Sequence, residues 1–393
     1  MKRIPARARC FSVLAGYLLI AAGCAPMLGI PWEVSLRETR QDQSDLLQQS
    51  RRWVASAGRV RARDRLSRQL PVQDEEGGFL ESRIMATNAD KSYVFPGSVA
   101  TIPRAERSKI GVYFVLGFNQ HKGRSGPIIR RTVDQMCALG YRARLIDVGS
   151  RRMAQEDALL IANVLRQDLP QVDKAVLLGF SRGSADIVHF WLGPAHQLPA
   201  SELAKIKIWA NFAGVIRGSE VARWGAVGET PLAWVLRFVI NLRERNLRML
   251  PIDLASISYD RWEYPGRRFP KSVRKNILVI NFVVIPDGSD GWAVLDPQFK
   301  FLARNAAEEA VQQGRVIGPC DGLVESAASI LPPHTGIKQW IVRVKGNHLI
   351  LGGNYCNGRL VAPQYHQGRA ARLESGGQMM DDFLRALPKS LLE

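Results

Sequence analysis

Acidic residues are scarce in this sequence relative to basic ones. Aspartate and glutamate total 36 against 54 lysines and arginines, which gives a formal net charge of +18 at pH 7. A surplus of this sign favours anionic partners such as nucleic acid or lipid headgroups. No RNA- or DNA-binding motif accompanies the charge, and the chain has no internal repeat or low-complexity tract. We therefore expect no nucleic-acid partner and, if the chain is exported, a basic surface that faces anionic lipid.

Cysteine is also rare, with five residues in 393. Cys10 and Cys24 fall in the N-terminal leader described below, which leaves Cys137, Cys320 and Cys356 in the rest of the chain. An odd number cannot be fully paired in an oxidising compartment. Cys137 follows the period of an apolar helical stripe, so we predict a buried free thiol at that position.

The apolar run nearest the N-terminus is too short for a permanent transmembrane helix. It extends from Phe11 to Ala22 and follows four basic residues, which is the pattern of an export signal. The run leads into Ala21-Ala22-Gly23-Cys24, and small residues before a single cysteine resemble a bacterial lipobox. The resemblance implies that Cys24 is lipidated and becomes the mature N-terminus, although Ala21 stands where lipoboxes usually have leucine.

The residue after this cysteine, Ala25, bears on the membrane to which the chain is anchored. With alanine rather than aspartate there, the resemblance to Gram-negative lipoproteins implies a lipid anchor in the outer membrane, facing the periplasm. An ordinary signal peptide cleaved near Gly23 and an uncleaved anchor are the alternatives. We divide the chain into a lipoprotein signal peptide (1–23), a tether with a helical segment (24–78) and one large domain (79–393).

Apolar strands alternate with amphipathic helices through most of the large domain. Residues 79–102 are typical of short strands joined by turns, and they could begin the sheet. Further strands are predicted at 110–116, 143–148, 175–178, 206–213, 276–285 and 340–344, with helices at 128–139, 153–165 and from 182 through 191. This alternation predicts an α/β fold with a mostly parallel, doubly wound sheet and a site at the carboxyl ends of its strands.

The pentapeptide Gly179-Phe180-Ser181-Arg182-Gly183 lies between a predicted strand and a predicted helix. A Gly-x-Ser-x-Gly pattern in that context is typical of a nucleophile elbow, in which the serine occupies a strained turn with its hydroxyl exposed. The flanking glycines leave room for close packing of the turn. The pattern also arises by chance in chains rich in glycine and serine. Together with its flanking strand and helix, it resembles the elbow of the α/β-hydrolase superfamily, which includes lipases and esterases.

This resemblance implies an oxyanion hole made of two backbone N–H groups. The helix after Ser181 begins with Arg182, whose N–H would be one donor. In the superfamily the second donor follows the strand two before the elbow, and here that strand ends Leu116-Gly117-Phe118, so the N–H of Phe118 matches the position. The alternative is that Gly117 only makes a turn between strand and helix.

The superfamily's general base follows the last strand of the sheet. His348 comes directly after the predicted strand at 340–344, which makes it the predicted base. Among the other five histidines, the competitor is His334, but it precedes that strand.

Two loops offer a carboxylate that could orient the base. The sequence Asp-Gly-Leu-Val at Asp321 resembles a loop of bacterial true lipases, and the resemblance implies that Asp321 is the triad acid. Asp287 and Asp290 also follow a strand end and remain alternatives; their spacing matches no EF-hand calcium loop. Asp-Gly favours turns in any loop. Cys320 and Cys356 flank the stretch that carries the predicted acid and base, and a disulfide between them would staple these loops.

A long insertion precedes the strand at 276–285 and predicts a helical cap over about 217–275. Trp224, Trp234 and Trp262 could line a lid that accepts an acyl chain, or they could pack as ordinary core of the cap. The resemblance implies an envelope-anchored serine hydrolase that cleaves carboxylic esters, acyl lipids or phospholipids above all, through an acyl-enzyme and without organic cofactor or metal. A peptidase or thioesterase with the same triad and a non-catalytic binding protein are the alternatives.

Overall fold

Nearly continuous apolar runs form the inner strands of the central sheet, because both faces of that sheet are covered there. The computed structural model describes residues 85–87, 92–94, 102–117, 125–148, 152–235, 269–270, 276–285, 305–306, 308–309, 320–331, 337, 339–345, 348, 380–381, 383–385 and 387. Within them the strands are β1 (Met85–Thr87), β2 (Ser92–Val94), β3 (Ile110–Val115), β4 (Arg142–Ile146), β5 (Lys174–Phe180), β6 (Ile206–Phe212), β7 (Leu278–Ile285) and β8 (Gln339–Lys345).

Helices alternate with these strands as the apolar periodicity predicts. They are α1 (Arg104–Arg107), α2 (Ser125–Ala138), α3 (Ala154–Asp168), α4 (Arg182–Leu192), α5 (Ala200–Leu203) and α6 (Glu220–Val227), with short 3-10 turns at Leu169–Gln171, Pro194–Gln197 and Ser326–Ser329. The predicted strands from residue 110 onward and the predicted helices agree with these elements to within three residues at either end.

The main sheet has the order β4-β3-β5-β6-β7-β8, and every neighbouring pair is parallel. The predicted α/β class with a parallel sheet is therefore confirmed. The chain crosses from β4 at one edge back over β3 to β5, so the direction of winding changes between β3 and β5. Loops at the carboxyl ends of those two strands diverge there, which is where α/β proteins form their sites.

The short strands before residue 102 do not begin this sheet. β1 and β2 pair only with each other within the described residues, antiparallel, with Met85 opposite Val94. A tight turn of a few residues joins antiparallel neighbours, whereas a parallel neighbour requires a long crossover. The expectation that this segment starts the main sheet is therefore wrong, although the two short strands are confirmed; the predicted turn between them lies outside the described residues.

Successive side chains along each strand contribute to two separate cores, one on each face. On one face, Phe180 at the end of β5 stacks on Phe212 of β6, which stacks in turn on Phe282 of β7, with ring centroids 4.9 and 4.6 Å apart. Residues of α2 complete that core, and α3 and α4 cover the other face. The end of β5 is thus held rigidly by its neighbours, directly before Ser181.

Cys137, near the end of α2, is a free thiol as predicted, but it is exposed. Among the described side chains of α2, Ile129, Val133 and Met136 enter the core. Successive residues of an α-helix point about 100° apart, so the position after Met136 turns away from the sheet. The prediction of a buried thiol is therefore wrong.

A row of buried amides crosses the last three strands. The side-chain N–H of Asn211 donates to Asn281 (2.9 Å), and that of Asn281 donates to Gln339 (2.8 Å). The Gln339 amide then bonds both the carbonyl and the N–H of Leu331 (2.9 and 3.0 Å). All three amide side chains are almost fully buried. Their mutual bonding fixes the segment that ends at Leu331 against β8.

No helix among the described residues is both long and apolar enough to cross a bilayer. The leader, the tether and residues 236–268 of the predicted cap lie outside those residues.

Candidate active site

Ser181 occupies a strained turn between β5 and α4. Its backbone has φ 50° and ψ −121°, a left-handed conformation that a residue with a Cβ adopts at a cost. Its N–H donates to the carbonyl of Phe212 (3.0 Å), and its carbonyl accepts the N–H groups of Ser184 and Val215 (3.1 and 3.0 Å). The end of β6 and the loop after it thereby hold the strained backbone. The partly exposed side chain lies just beyond the carboxyl end of β5.

The two glycines of the pentapeptide are required by close contacts. A Cβ on Gly183 would lie 2.3 Å from the carbonyl oxygen of Val115, at the end of β3. A Cβ on Gly179 would lie 2.7 Å from the Oγ of Ser184. Both distances are shorter than non-bonded atoms tolerate, so only glycine lets the first turn of α4 pack this closely on β3 and β5.

Ser181 meets a histidine that lies 167 positions further along the chain. The Nε2 of His348 is 2.7 Å from the Oγ of Ser181. Its Nδ1 is 2.8 Å from the Oδ2 of Asp321. His348 is only 6% exposed and Asp321 3%, so water has little access to the hydrogen bond between them, whereas the bond from His348 to the partly exposed Ser181 is partly buried. Serine, imidazole and carboxylate thus form one continuous hydrogen-bonded row.

The carboxylate of Asp321 is itself held in place by its own loop. Its Oδ1 accepts the N–H groups of Leu323 and Val324 (3.0 and 2.8 Å), which leaves Oδ2 directed at the imidazole. The backbone N–H of His348 donates to the carbonyl of Asp321 (2.9 Å). The next residue, Gly322, has φ 110°, which glycine adopts without strain. Two hydrogen bonds therefore join Asp321 to His348, one between their side chains and one between their backbones.

The structure brings three of the predicted site residues together and leaves several others undescribed. Arg182, the predicted oxyanion donor, is the first residue of α4, and the first N–H groups of a helix have no carbonyl partner within it. The other predicted positions lie outside the described residues: the second donor Phe118, the alternative acids Asp287 and Asp290, the competing base His334, the lipidation site Cys24 and the disulfide partner Cys356.

Cys320 carries a free thiol among the described residues, and because its suggested partner Cys356 lies outside them, the disulfide stays a prediction. This thiol is buried in an apolar cluster with Val221, Trp224, Ala233 and Ala306, all on the side of the predicted cap or the segment at 305–309. Burial raises the pKa of the Cys320 thiol well above its ordinary value, so the nucleophilic thiolate is disfavoured there. Packing against these apolar side chains holds the start of the acid loop in place.

The side chain of Arg182 forms a buried ionic cluster that was not predicted from the sequence. Its guanidinium is 2% exposed and lies 3.0 Å from the Oδ2 of Asp157 on α3 and 3.7 Å from the Oδ1 of Asp186. It also donates to the backbone carbonyl of Arg152. The i,i+4 spacing of Arg182 and Asp186 was the available signal. The cluster ties the first turn of α4, and with it the backbone N–H of Arg182, to α3.

A pair of buried carboxyl groups lies at the other end of the acid loop. Glu325 accepts the backbone N–H of Glu220 at its Oε2 (3.2 Å), and both side chains are almost fully buried. Desolvation by burial, followed by the proximity of Glu220, raises the pKa of Glu325 to about 8. Sequence patterns gave no sign of this pair, since glutamates near a helix start are ordinarily solvated.

The tryptophans of the predicted cap differ in their surroundings. Trp224 is 1% exposed, belongs to the apolar cluster around Cys320, and donates its Nε1–H to Thr230 (3.0 Å). It is therefore core, not lid lining. Trp234 is 63% exposed, and Trp262 lies outside the described residues.

The sequence matches no protein-family model and no curated protein. Solved structures with a similar arrangement include a metagenomic carboxyl esterase, MGS0156 (18% identity, 72% of this chain and 76% of that chain, TM-score 0.47). The mature lipase BlEst2 of Bacillus licheniformis is similar over 65% of this chain and 89% of its own (18% identity, TM-score 0.40). The phospholipase PlaB of Legionella pneumophila is similar over 56% and 44% (14% identity, TM-score 0.33).

Proposed function

We propose that this protein is a serine hydrolase that cleaves carboxylic esters through an acyl-enzyme on Ser181. The observation that supports this most strongly is the row of hydrogen bonds from the Oγ of Ser181 through His348 to Asp321, with distances of 2.7 and 2.8 Å. These distances are within the reach that a nucleophile, a general base and an orienting carboxylate require. The strained backbone of Ser181 adds support, because such strain is retained where function needs it.

The proposed reaction follows from the direction of the hydrogen bonds. As the Oγ of Ser181 bonds to the ester carbonyl carbon, its proton passes to the Nε2 of His348, and Asp321 stabilises the imidazolium that results. The imidazolium then protonates the leaving alcohol oxygen, which breaks the ester bond and leaves an acyl group on Ser181. Water attacks the acyl-enzyme as His348 takes one of its protons, and that proton returns to Ser181 when the carboxylic acid leaves.

The negative charge on the tetrahedral intermediate needs hydrogen-bond donors that are already in place. The N–H of Arg182 at the start of α4 and the N–H of Phe118 after β3 are our candidates for this oxyanion hole. The buried guanidinium of Arg182 supports the first of them, since its ion pair with Asp157 fixes the turn that carries the N–H.

We favour acyl lipids or phospholipids as substrates. The exposed indole of Trp234 and the basic net charge suit a surface that meets anionic lipid headgroups. We further propose that residues 1–23 are a lipoprotein signal peptide and that Cys24 anchors the protein at the outer membrane, facing the periplasm, with residues 24–78 as tether and about 217–275 as cap.

A fluorophosphonate probe tests the proposal directly. The purified protein should form a covalent adduct on the peptide that contains Ser181, and the Ser181→Ala variant should form none. Ser184→Ala is the matched control, because that serine lies one helical turn away with its side chain fully buried, and it should be labelled like the wild type. Labelling of the Ser181→Ala protein at the same rate would refute the assignment.

The class of leaving group on the substrate (an alcohol, a thiol or an amine) is tested separately. Parallel assays with short-chain p-nitrophenyl esters, a thioester, a peptide amide and phospholipid vesicles should give the highest kcat/KM on an oxygen ester. A preference for the thioester or the amide would assign one of the alternative hydrolase activities. Probe labelling without turnover of any substrate would favour a binding protein.

A further inference from the structure

The first helix of the predicted cap begins against the loop that holds Asp321. Ser219 is the N-cap of α6 and accepts the N–H of Ala222 (3.0 Å). The same hydroxyl donates its hydrogen to the carbonyl of Leu323. The N–H of Leu323 in turn donates to the Oδ1 of Asp321 (3.0 Å). Leu323 is therefore the one residue that links the Ser219 hydroxyl, at the start of the cap, to the carboxylate of Asp321.

A second contact joins the same two segments on the other side of the loop. The carboxyl group of Glu325 accepts the N–H of Glu220, the first residue of α6 (3.2 Å). Backbone pairing between Cys320 and Glu325 closes the loop around Asp321. The start of α6 thus bonds the loop both at Leu323 in its middle and at Glu325 at its end.

These contacts do more than cap a helix. The N-cap requirement of α6 is met when Ser219 accepts a backbone N–H. Donation of the Ser219 hydroxyl to Leu323 is additional, and Ser219 is 2% exposed, so water cannot readily replace it. Loss of that hydrogen would leave the Leu323 carbonyl short of a partner in a partly buried setting, and the loop would have to shift to regain one.

We propose that Ser219 and Glu325 are positioning residues that link the start of the cap to Asp321, so that His348 is correctly oriented only when α6 is seated on the acid loop. The inference rests on the proposed function, since it assigns the two side chains a part in that reaction. Displacements of about 1 Å at a catalytic group lower rates by about a hundredfold. A link of this kind acts on the transition state and affects kcat rather than substrate binding.

Ser219→Gly isolates the donated hydrogen bond. Glycine is nearly as good an N-cap as serine, so α6 keeps most of its stability, but the hydroxyl is gone. On a soluble short-chain ester, we expect kcat to fall about tenfold or more while KM stays within about twofold. Ser219→Thr retains a hydroxyl that can both accept and donate, and it should restore most of the wild-type kcat.

Variants of Glu325 test the second contact, its hydrogen bond with the N–H of Glu220, independently of Ser219. Glu325→Gln keeps an oxygen that accepts the N–H of Glu220 and should retain kcat, whereas Glu325→Ala should lower it as Ser219→Gly does. If Ser219→Gly does not fold, the comparison of Glu325→Gln with Glu325→Ala tests the same link. Equal kcat in these two Glu325 variants would then overturn the inference.

Thr230→Ala is the matched control within the cap. The Thr230 hydroxyl accepts the Nε1–H of Trp224 (3.0 Å) and the N–H of Ala233 (3.3 Å), both on the cap side. Its loss weakens the cap without removing a bond to the acid loop, so kcat should not change. A loss of kcat equal to that of Ser219→Gly would mean that general weakening of the cap explains both, and the inference would be wrong.

The proton NMR signal of the His348 Nδ1–H, shifted far downfield by its bond to Asp321, gives a readout without turnover. We expect it to move or broaden in Ser219→Gly and to be unchanged in Thr230→Ala. An unchanged signal and unchanged kcat in Ser219→Gly would refute the link. Failure of the proposed function shows differently, as a wild-type protein whose Ser181 is not labelled by a fluorophosphonate, and the NMR comparison would still decide on the link.

Discussion

Ionisation of Glu325 should govern how the stability of this protein depends on pH. The side chain is 5% exposed and lies next to the buried Glu220. Burial disfavours its charged form, the neighbouring glutamate adds to the effect, and together they raise the pKa of Glu325 from 4.5 to about 8. Between these two pH values the folded protein retains a proton that the unfolded chain has lost. The folded state is therefore progressively less favoured as the pH rises through this interval.

The size of the effect follows from the width of the interval. Each pH unit across which only the folded state holds the proton lowers the free energy of unfolding by about 1.4 kcal/mol. From 4.5 to about 8, the loss amounts to about 5 kcal/mol. Above about pH 8 both states are ionised and the dependence levels off. Glu325→Gln has no proton to lose, so its stability relative to the wild type should increase by up to this amount between pH 5 and pH 8.5.

Urea unfolding of the wild type and Glu325→Gln at several pH values, followed by tryptophan fluorescence, measures this difference. Thermal unfolding should show the same difference: at roughly 2 °C per kcal/mol for a large domain, the Tm of Glu325→Gln should exceed that of the wild type by up to about 10 °C at pH 8.5. Glu106→Gln serves as the control, because Glu106 on α1 is exposed and its replacement removes no buried carboxyl group. A Glu325→Gln protein whose stability follows the wild type in parallel across this range would refute the reasoning.

Three further predictions concern the proposed chemistry and anchor. Ser181→Ala should abolish turnover of short-chain p-nitrophenyl esters with little change in thermal unfolding; persistent turnover would rule out the proposed nucleophile. Asp321→Asn should lower kcat by roughly four orders of magnitude, as in the serine-protease case in which the imidazole tautomer is lost, whereas Asp287→Asn and Asp290→Asn should stay within about tenfold; steady-state kinetics at one pH would identify the acid by the variant that fails. Cys24→Ser should release the protein from the membrane fraction or leave an unprocessed precursor, which immunoblotting of fractions detects, and unchanged processing would argue against a lipobox.

The sheet could be predicted from the sequence because its strands are buried on both faces. In β3 and β5 nearly every residue is apolar, and such runs stand out between amphipathic helices. The strained turn at Ser181 was predictable because its serine and both glycines lie within five consecutive residues, even though the contact that requires Gly183 is with Val115 on another strand. The position of His348 beside Ser181 depended on a resemblance, because no periodicity relates residues so far apart.

Charged residues that the fold buries could not be found in this way. Asp157 and Arg182 stand in amphipathic helices, where charged side chains ordinarily face water, yet each is almost fully buried against the other. The ion pair depends on how α3 and α4 pack, which no single helix encodes. Glu325 is similar, since its partner Glu220 is brought to it by the loop after β6. The prediction of a buried thiol at Cys137 was wrong for a simpler reason, because adjacent positions on α2 face in different directions and one of them faces the core while the next faces solvent.

The order of the three proposed catalytic side chains along the chain has a consequence for biosynthesis. Ser181 emerges from the ribosome 167 residues before His348, which at roughly 5 to 20 residues per second corresponds to a delay of about 10 to 30 seconds. During that time β3, β5 and β6 can be complete while the imidazole that we propose activates the serine has not yet been made. Under the proposed mechanism, Ser181 of the nascent chain is therefore an inert alcohol until then, and hydrolytic activity would arise only when the last strand of the sheet is in place.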